Sequence, residues 1–250
     1  MCEKFIALLD SGIGGLSVLK SLQKHFFSES FIYLGDNDNS PYGNRSAYDL
    51  TKITLKNIDL IKGYPIKAIV VACNTLSVNI LPTIKEYSDL PCFGIYPPVE
   101  RCVLSKKRTL LLATKLTAEK YVNYSSCVDV VGLKDLATDI ENNIHNIDNI
   151  KISDHVSGAN DYKFKNYKNY YETVILGCTH YSFVKKQIFD HFQPQNLTSG
   201  ESDLIFNLNK FLQNEKSSVK IKRNRVLFIG KNAVKNEKIY NASGQTWQNY

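Results

Sequence analysis

Two α/β halves, each a parallel-type sheet flanked by helices, are what this 250-residue chain predicts. Three observations carry that expectation. Short aliphatic runs alternate with helical patterns along the chain, the alternation begins again after Pro97-Pro98, and one cysteine setting occurs once in each half. The two settings are Ile69-Val70-Val71-Ala72-Cys73-Asn74-Thr75 and Val174-Ile175-Leu176-Gly177-Cys178-Thr179-His180. Each runs a continuous apolar stretch into a small residue, a cysteine and hydrogen-bonding residues. A run without alternation reads as a parallel strand buried on both faces, and the residue just past its end lies where open α/β sheets bind ligands.

In chain order, Phe5 to Leu9 reads as a strand and Leu16 to Phe27 as a helix. Phe31 to Leu34 and Ser46 to Ile61 repeat the unit, and Ile66 to Val71 with the segment after Thr75 repeats it again. Cys92 to Ile95 adds a strand. Tyr96-Pro97-Pro98 then reads as a crossing between domains, because proline ends the local pattern. The second set has strands at Thr109 to Ala113, Cys127 to Val131 and Val174 to Leu176, with helical stretches between. Asp148 to Tyr171, rich in Asn, Asp, Lys and Tyr, reads as loop or a loosely specified helix. Val226 to Ile229 gives one more strand. The division expected is a first α/β domain of residues 1–95 plus 208–250 and a second of residues 96–207, with the active site at their interface.

Composition narrows the function classes. A hydrophobic content of 43% supports a packed core. No apolar run approaches the roughly 20 residues that span a bilayer, and Met1-Cys2-Glu3-Lys4 leads straight into a core strand, so a cytoplasmic protein without a membrane partner is expected. The 6 cysteines should then stay reduced, and no CxxC pair announces a metal. The net charge of +7 comes from lysines spread along the chain, with small groups at Lys106-Lys107-Arg108 and Lys220 to Arg225 and no aromatic RNA motif. That distribution argues against nucleic acid and fits a small acidic metabolite.

The first turn, Asp10-Ser11-Gly12-Ile13-Gly14-Gly15, approximates a dinucleotide fingerprint but lacks the third glycine at its spacing. Asp10 at the strand end would also oppose a pyrophosphate. A small carboxylate site and a simple helix cap by Asp10 or Ser11 both remain open. A thiol with an ordinary pKa of about 8.5 is only slightly ionised near neutrality, so a cysteine acting as a base needs assistance. His180 lies two residues beyond Cys178, and Asp10 can approach Cys73 from a neighbouring strand end. Two thiols across one pocket suit removal of a proton from carbon on one face and its delivery on the other, with no metal or cofactor demanded. Ser11, Asn74, Thr75 and Thr179 can stabilise the anion formed.

Asp10-Ser11-Gly12-Ile13-Gly14-Gly15, Tyr33-Leu34-Gly35-Asp36, Pro41-Tyr42-Gly43, Ala72-Cys73-Asn74-Thr75 and Gly177-Cys178-Thr179-His180 together resemble glutamate racemase, in the cofactor-independent aspartate/glutamate racemase superfamily. The motifs match in order over most of the chain. The resemblance implies two pseudo-symmetric α/β domains, the second inserted into the first. It implies Cys73 and Cys178 as the acid/base pair with Asp10 and His180 assisting, and a substrate site lined by Asp10, Ser11, Tyr42, Gly43, Asn74, Thr75, Thr179 and His180. It further implies a small amino-acid substrate, D-glutamate supply for peptidoglycan, no cofactor, and an assembly compatible with a homodimer.

The chain departs from that pattern at several places. Asn39 stands where the family usually carries an arginine, Tyr96-Pro97-Pro98 replaces an acidic residue before proline, Glu141 falls at the family's glutamate among different neighbours, and Ser199-Gly200-Glu201 replaces Ser-Gly-Asp. Two other readings therefore stay open: a racemase or epimerase acting on a different amino acid or carboxylate, and a non-catalytic binding or regulatory protein on the same fold. Retention of both cysteines favours catalysis, and it argues against a decarboxylase, which needs one acidic thiol.

Overall fold

The computed structural model describes residues 3–157, 168–214 and 225–242. The middle of the polar 148–171 stretch, the basic group at 220–224 and parts of the expected return, 215–224 and 243–250, lie outside the described residues. The elements are β1 (Phe5–Asp10), α1 (Gly15–His25), β2 (Ser30–Gly35), a 3-10 turn at Tyr42–Asn44, α2 (Ala47–Ile61), β3 (Ile66–Val71), α3 (Asn74–Ser88) and β4 (Cys92–Gly94). After the crossing come α4 (Val99–Leu104), β5 (Thr109–Thr114), α5 (Lys115–Ala118), β6 (Val128–Leu133), α6 (Leu136–Asn142), α7 (Ile152–Val156) and β7 (Thr173–Gly177). A 3-10 turn at Thr179–Val184 leads to α8 (Lys185–Phe192), β8 (Asn196–Thr198), α9 (Glu201–Asn214), β9 (Val226–Phe228) and α10 (Ala233–Ala242).

The strands form two sheets, ordered β4-β3-β1-β2-β9 and β6-β5-β7-β8, and every pairing is parallel. Renumbering from the first strand of each half makes the shared topology explicit: both halves run fourth-third-first-second, and β9 is an addition to the first. The cysteine settings occupy the same place in that order, Cys73 just past the third strand of one half and Cys178 just past the third strand of the other. In each half the chain leaves the first strand for one side and returns on the other, the switch point where such sheets open a crevice.

The strands form where they do because apolar side chains on both faces have helices to bury against. One face of the first sheet packs Leu9, Ile69 and Val71 with α2 and α3. The other packs Ile6, Leu8 and Val70 with α1, α9 and α10. The second sheet is likewise covered on both faces. Local signals set the helix ends: Ser46 accepts the Asp49 N–H at 3.1 Å and caps α2. Ile95 is buried with the first sheet and Val99 with the second, on either side of Tyr96-Pro97-Pro98. Leu204 and Leu208 of α9 are buried in the first core.

The two crossings meet. A Cβ added at Gly200 would lie 2.0 Å from the carbonyl oxygen of Tyr96, so only a residue without a side chain lets the segment before α9 lie against the one after β4. Gly200→Ala is expected to cost about 1–3 kcal/mol, read as a lower urea midpoint at unchanged m-value.

The described ends of the polar stretch before β7 carry core residues. Ile150, Ile152, Val156 and Tyr171 all enter the second core, and the Tyr171 hydroxyl donates to Asp129 at 2.7 Å. Among the described residues no helix is long and apolar enough to cross a membrane.

Candidate active site

The C-terminal ends of β1, β3, β5 and β7 bring the singled-out residues together. Asp10 closes β1, Ser11 follows it, Cys73 precedes α3, and Cys178 precedes the Thr179–Val184 turn; all four are buried. Cys73 Sγ donates towards Ser11 Oγ at 3.9 Å. Cys178 Sγ lies 3.8 Å from His180 Nδ1. The opposite ring nitrogen, Nε2, is 2.9 Å from Glu141 Oε1. One thiol is therefore held by a hydroxyl and the other by an imidazole backed by a carboxylate.

Asp10 sits differently from what the strand order leads one to expect. Its Oδ2 accepts the Gly12 N–H at 3.0 Å and its Oδ1 accepts from Thr179 Oγ1, 3.4 Å away on the other half. Asp10 thus braces its own turn and the Cys178 turn, and the hydroxyl beside Cys73 belongs to Ser11. Asp10 still acts on Cys73 through its charge. Burial first, and Asp10 next, push the Cys73 thiol up to about 12, against the pull of the Leu76 N–H in the first turn of α3. The charge of Cys178 adds to that rise, which puts both thiols in one electrostatic environment. Cys73 is hence held as the neutral thiol. Burial also raises Asp10, against the favourable charge of His180.

Burial alone would lower His180. Its bonds to Cys178 and Glu141 outweigh that, and the ring holds its proton well above the ordinary histidine range. Glu141 shows the mirror image: burial raises it, but His180, the Ile13 N–H and Lys235 together keep it below its usual value. A buried imidazolium facing a buried carboxylate is the outcome.

The cysteine turns also reach across between the halves. Thr75 Oγ1 lies 3.0 Å from Thr114 Oγ1 and 3.3 Å from Thr117 Oγ1, joining the Cys73 turn to the end of β5. Gly43 packs on the same threonine; a Cβ there would lie 2.4 Å from Thr114 Cβ. Tyr42 donates its hydroxyl to Asp36 at 2.7 Å and Asn74 donates its amide to the Ile95 carbonyl at 3.3 Å, so these two also hold the site's walls.

Residues 16–201 match the family model described as Asp/Glu/Hydantoin racemase. The chain belongs to this family. It is 31% identical over 246 residues to a glutamate racemase of Buchnera aphidicola subsp. Acyrthosiphon pisum, a span covering 90% of each chain. It is 32% identical over 261 residues to a glutamate racemase of Clostridium acetobutylicum, covering 95% of each. The fold superposes with a TM-score of 0.77 on the crystal structure of glutamate racemase from Thermus thermophilus in complex with beta-chloro-D-alanine, at 26% identity over 97% of this chain and 94% of that one. This protein is an amino-acid racemase.

Within this racemase the departure at Asn39 is compensated locally. The Asn39 amide donates to both oxygens of Asp36, at 3.0 and 2.9 Å, while Tyr42 and Asn57 supply further donors and Arg45 Nε donates to the Asn39 carbonyl. Neutral donors satisfy the carboxylate. Glu141 keeps its place despite altered neighbours because its own contacts, with Ile13, Ser40, Asn37 and His180, all come from other elements. Thr114 and Thr117 are not among the residues the sequence points to, and Glu141, which the sequence matches to the family's glutamate, gains its His180 contact only in the fold. Extending the cysteine duplication to the strand ends would have found Thr114, since the first strand of each half ends in Asp10 or Thr114. The described residues contain no group of three or more His, Cys, Asp and Glu placed to hold a metal ion.

Proposed function

We propose that this racemase interconverts L- and D-glutamate without a cofactor, by proton transfer between Cα and the two thiols on opposite faces of the substrate. The observation that carries the reading is the equivalent placement of Cys73 and Cys178 past the third strand of two like-ordered sheets, each buried and each with its own hydrogen-bonding companion. The relatives at 31% and 32% identity are glutamate racemases, which supports glutamate as the substrate.

The chemistry follows from the charges. In one direction Cys178, as a thiolate paired with the His180 imidazolium, removes the Cα proton, and neutral Cys73 delivers one to the other face. In the return direction Cys73 must act as base. A substrate ammonium placed against Asp10 would offset the second cause of the raised Cys73 value, after burial, and bring its thiolate closer to reach. Ser11, Thr75, Thr179 and the Thr114–Thr117 pair offer buried hydroxyls to the substrate carboxylates, while Tyr42, Gly43 and Asn74 shape the walls. The substrate lies between units taken as 1–95 with 208–250 and 96–207, with α9 as the returning connection. D-Glutamate made in the cytoplasm would serve peptidoglycan, and nothing in the reaction calls on nucleic acid, a membrane or a metal.

The test is optical. Purified protein given L- or D-glutamate should carry either isomer to the racemate by circular dichroism, with deuterium from solvent entering Cα. Unchanged rotation from both isomers would sink the substrate assignment, and a panel of other amino acids screened for Cα exchange would then locate the true one.

A further inference from the structure

The carboxyl-terminal helix reaches the catalytic imidazole through one side chain. Glu141 sends Oε1 to His180 Nε2 and to the Ile13 N–H, and leaves Oε2 facing outward. There it meets the Asn37 amide at 3.3 Å and Lys235 Nζ of α10 at 3.8 Å. The carboxylate is nearly buried, with 9% of its side chain exposed, whereas Lys235 is half-exposed. Asn37 Oδ1, the other atom of the same amide, is buried and has no hydrogen-bond partner among the described residues.

The position of Lys235 is not left to a loose helix. Its neighbour Asn236 is fully buried and donates to the Gly35 carbonyl at 3.3 Å, Ile239 enters the first core, and Lys231 pairs with Asp38 at 2.5 Å. These contacts pin α10 to β2 and the loop after it. The charged and titratable groups facing Glu141 are therefore His180 from the Cys178 turn, Lys235 from α10, and Asp10 and Tyr33 from β1 and β2. Lys235 is the cation among them that comes from outside the catalytic set.

We propose that Lys235 is a positioning residue for catalysis: by pairing with Glu141 Oε2 it keeps that carboxylate turned towards the imidazole that serves Cys178. The inference rests on the two-thiol reading and adds to it an asymmetry. Lys235 supports Cys178 through Glu141 and His180, and it reaches Cys73 only through the charges of Glu141 and Asp10.

Lys235→Met should lower kcat/KM about two- to fivefold, the range for a partly exposed ion pair. Its distinguishing signature is the isotope effect. With α-deuterated substrates the primary effect on kcat/KM should rise for the enantiomer whose Cα–H faces Cys178 and fall for the other, whose turnover meets the slowed Cys178 step only after its own Cα–H is broken, and Lys235→Arg should restore wild-type values. A general loosening of the fold would move both enantiomers alike, and that result, or no change in either, overturns the proposal. Wild-type protein that inverts no amino acid would overturn the two-thiol reading and this inference with it. An active wild type with a symmetric Lys235→Met response overturns this inference alone.

Discussion

Cys178→Ala is expected to lower kcat/KM for racemisation by about 10²–10⁴-fold, the usual worth of a positioned acid/base group, and Cys73→Ala should do the same. The two losses share a size but differ in what survives. With Cys178 gone, Cys73 can still exchange the Cα proton of the enantiomer that faces it, returning deuterium to the same face; inversion needs a donor on the other side. With Cys73 gone, the His180-backed thiol should exchange the opposite enantiomer. Proton NMR in deuterium oxide reads exchange and polarimetry reads inversion, so the two activities separate in one sample. Both thiols are buried, so alanine opens a small cavity, and Cys→Ser serves as the near-isosteric control: the fold persists while the hydroxyl is too weak an acid to replace the thiol. Full inversion by either alanine variant refutes the scheme.

The strands and the thiols were legible in the chain because both depend on short-range pattern. β1, β3, β5 and β7 are buried along nearly their whole length, so each is a run of aliphatic residues with a sharp end, and the residue past that end could be named before any coordinates. β8 escaped notice for the converse reason. It is three residues, Asn196–Thr198, at the edge of the second sheet, with only partial burial and therefore no apolar run. Ile150, Ile152, Val156 and Tyr171 were hidden among Asn, Asp and Lys, since a core contribution made by isolated residues leaves no period to read. The partner of each thiol was half legible. His180 is local to Cys178, and two residues of spacing suffice to expect their contact. Asp10 and Ser11 are both local to the end of β1, and nothing in the order of residues tells which of them turns to Cys73. Glu141 reaches His180 from 39 positions away and Ile13 from 128, contacts that only the packed sheets define.

Raising the pH from near neutrality towards 12 is expected to destabilise the protein more steeply than an ordinary mesophilic domain, with Cys73 and His180 as the main titrating causes. The sign follows from linkage: a group whose folded pKa lies above its unfolded value binds its proton more tightly in the native state, so its stabilising contribution is complete below the unfolded pKa and is lost as pH climbs through the folded one. His180, raised above 6.5 by Cys178 and Glu141 in spite of burial, begins to withdraw support above that pH. Cys73, raised from 9.0 to about 12 by burial and by Asp10, withdraws support across the interval between. That displacement corresponds to ~4 kcal/mol at most by the top of the window, a large fraction of the 5–15 kcal/mol that holds a typical domain together. Glu141 acts at the other end, its lowered value giving stability that is present above 4.5 and lost as pH falls through the folded pKa. Tyr33 and Tyr42, both raised by burial, add alkaline losses of the same sign above 10, so the Cys73 share must be measured as a difference. Urea midpoints at pH 7, 9 and 11 for the wild type and Cys73→Ser supply it, because serine does not titrate in this range while the tyrosines titrate in both proteins. The serine variant should lose less stability between pH 9 and 11 than the wild type. Parallel losses would mean that the Cys73 proton is held no more tightly in the folded chain than in the unfolded one, and its role as the resting proton donor would fall with that result.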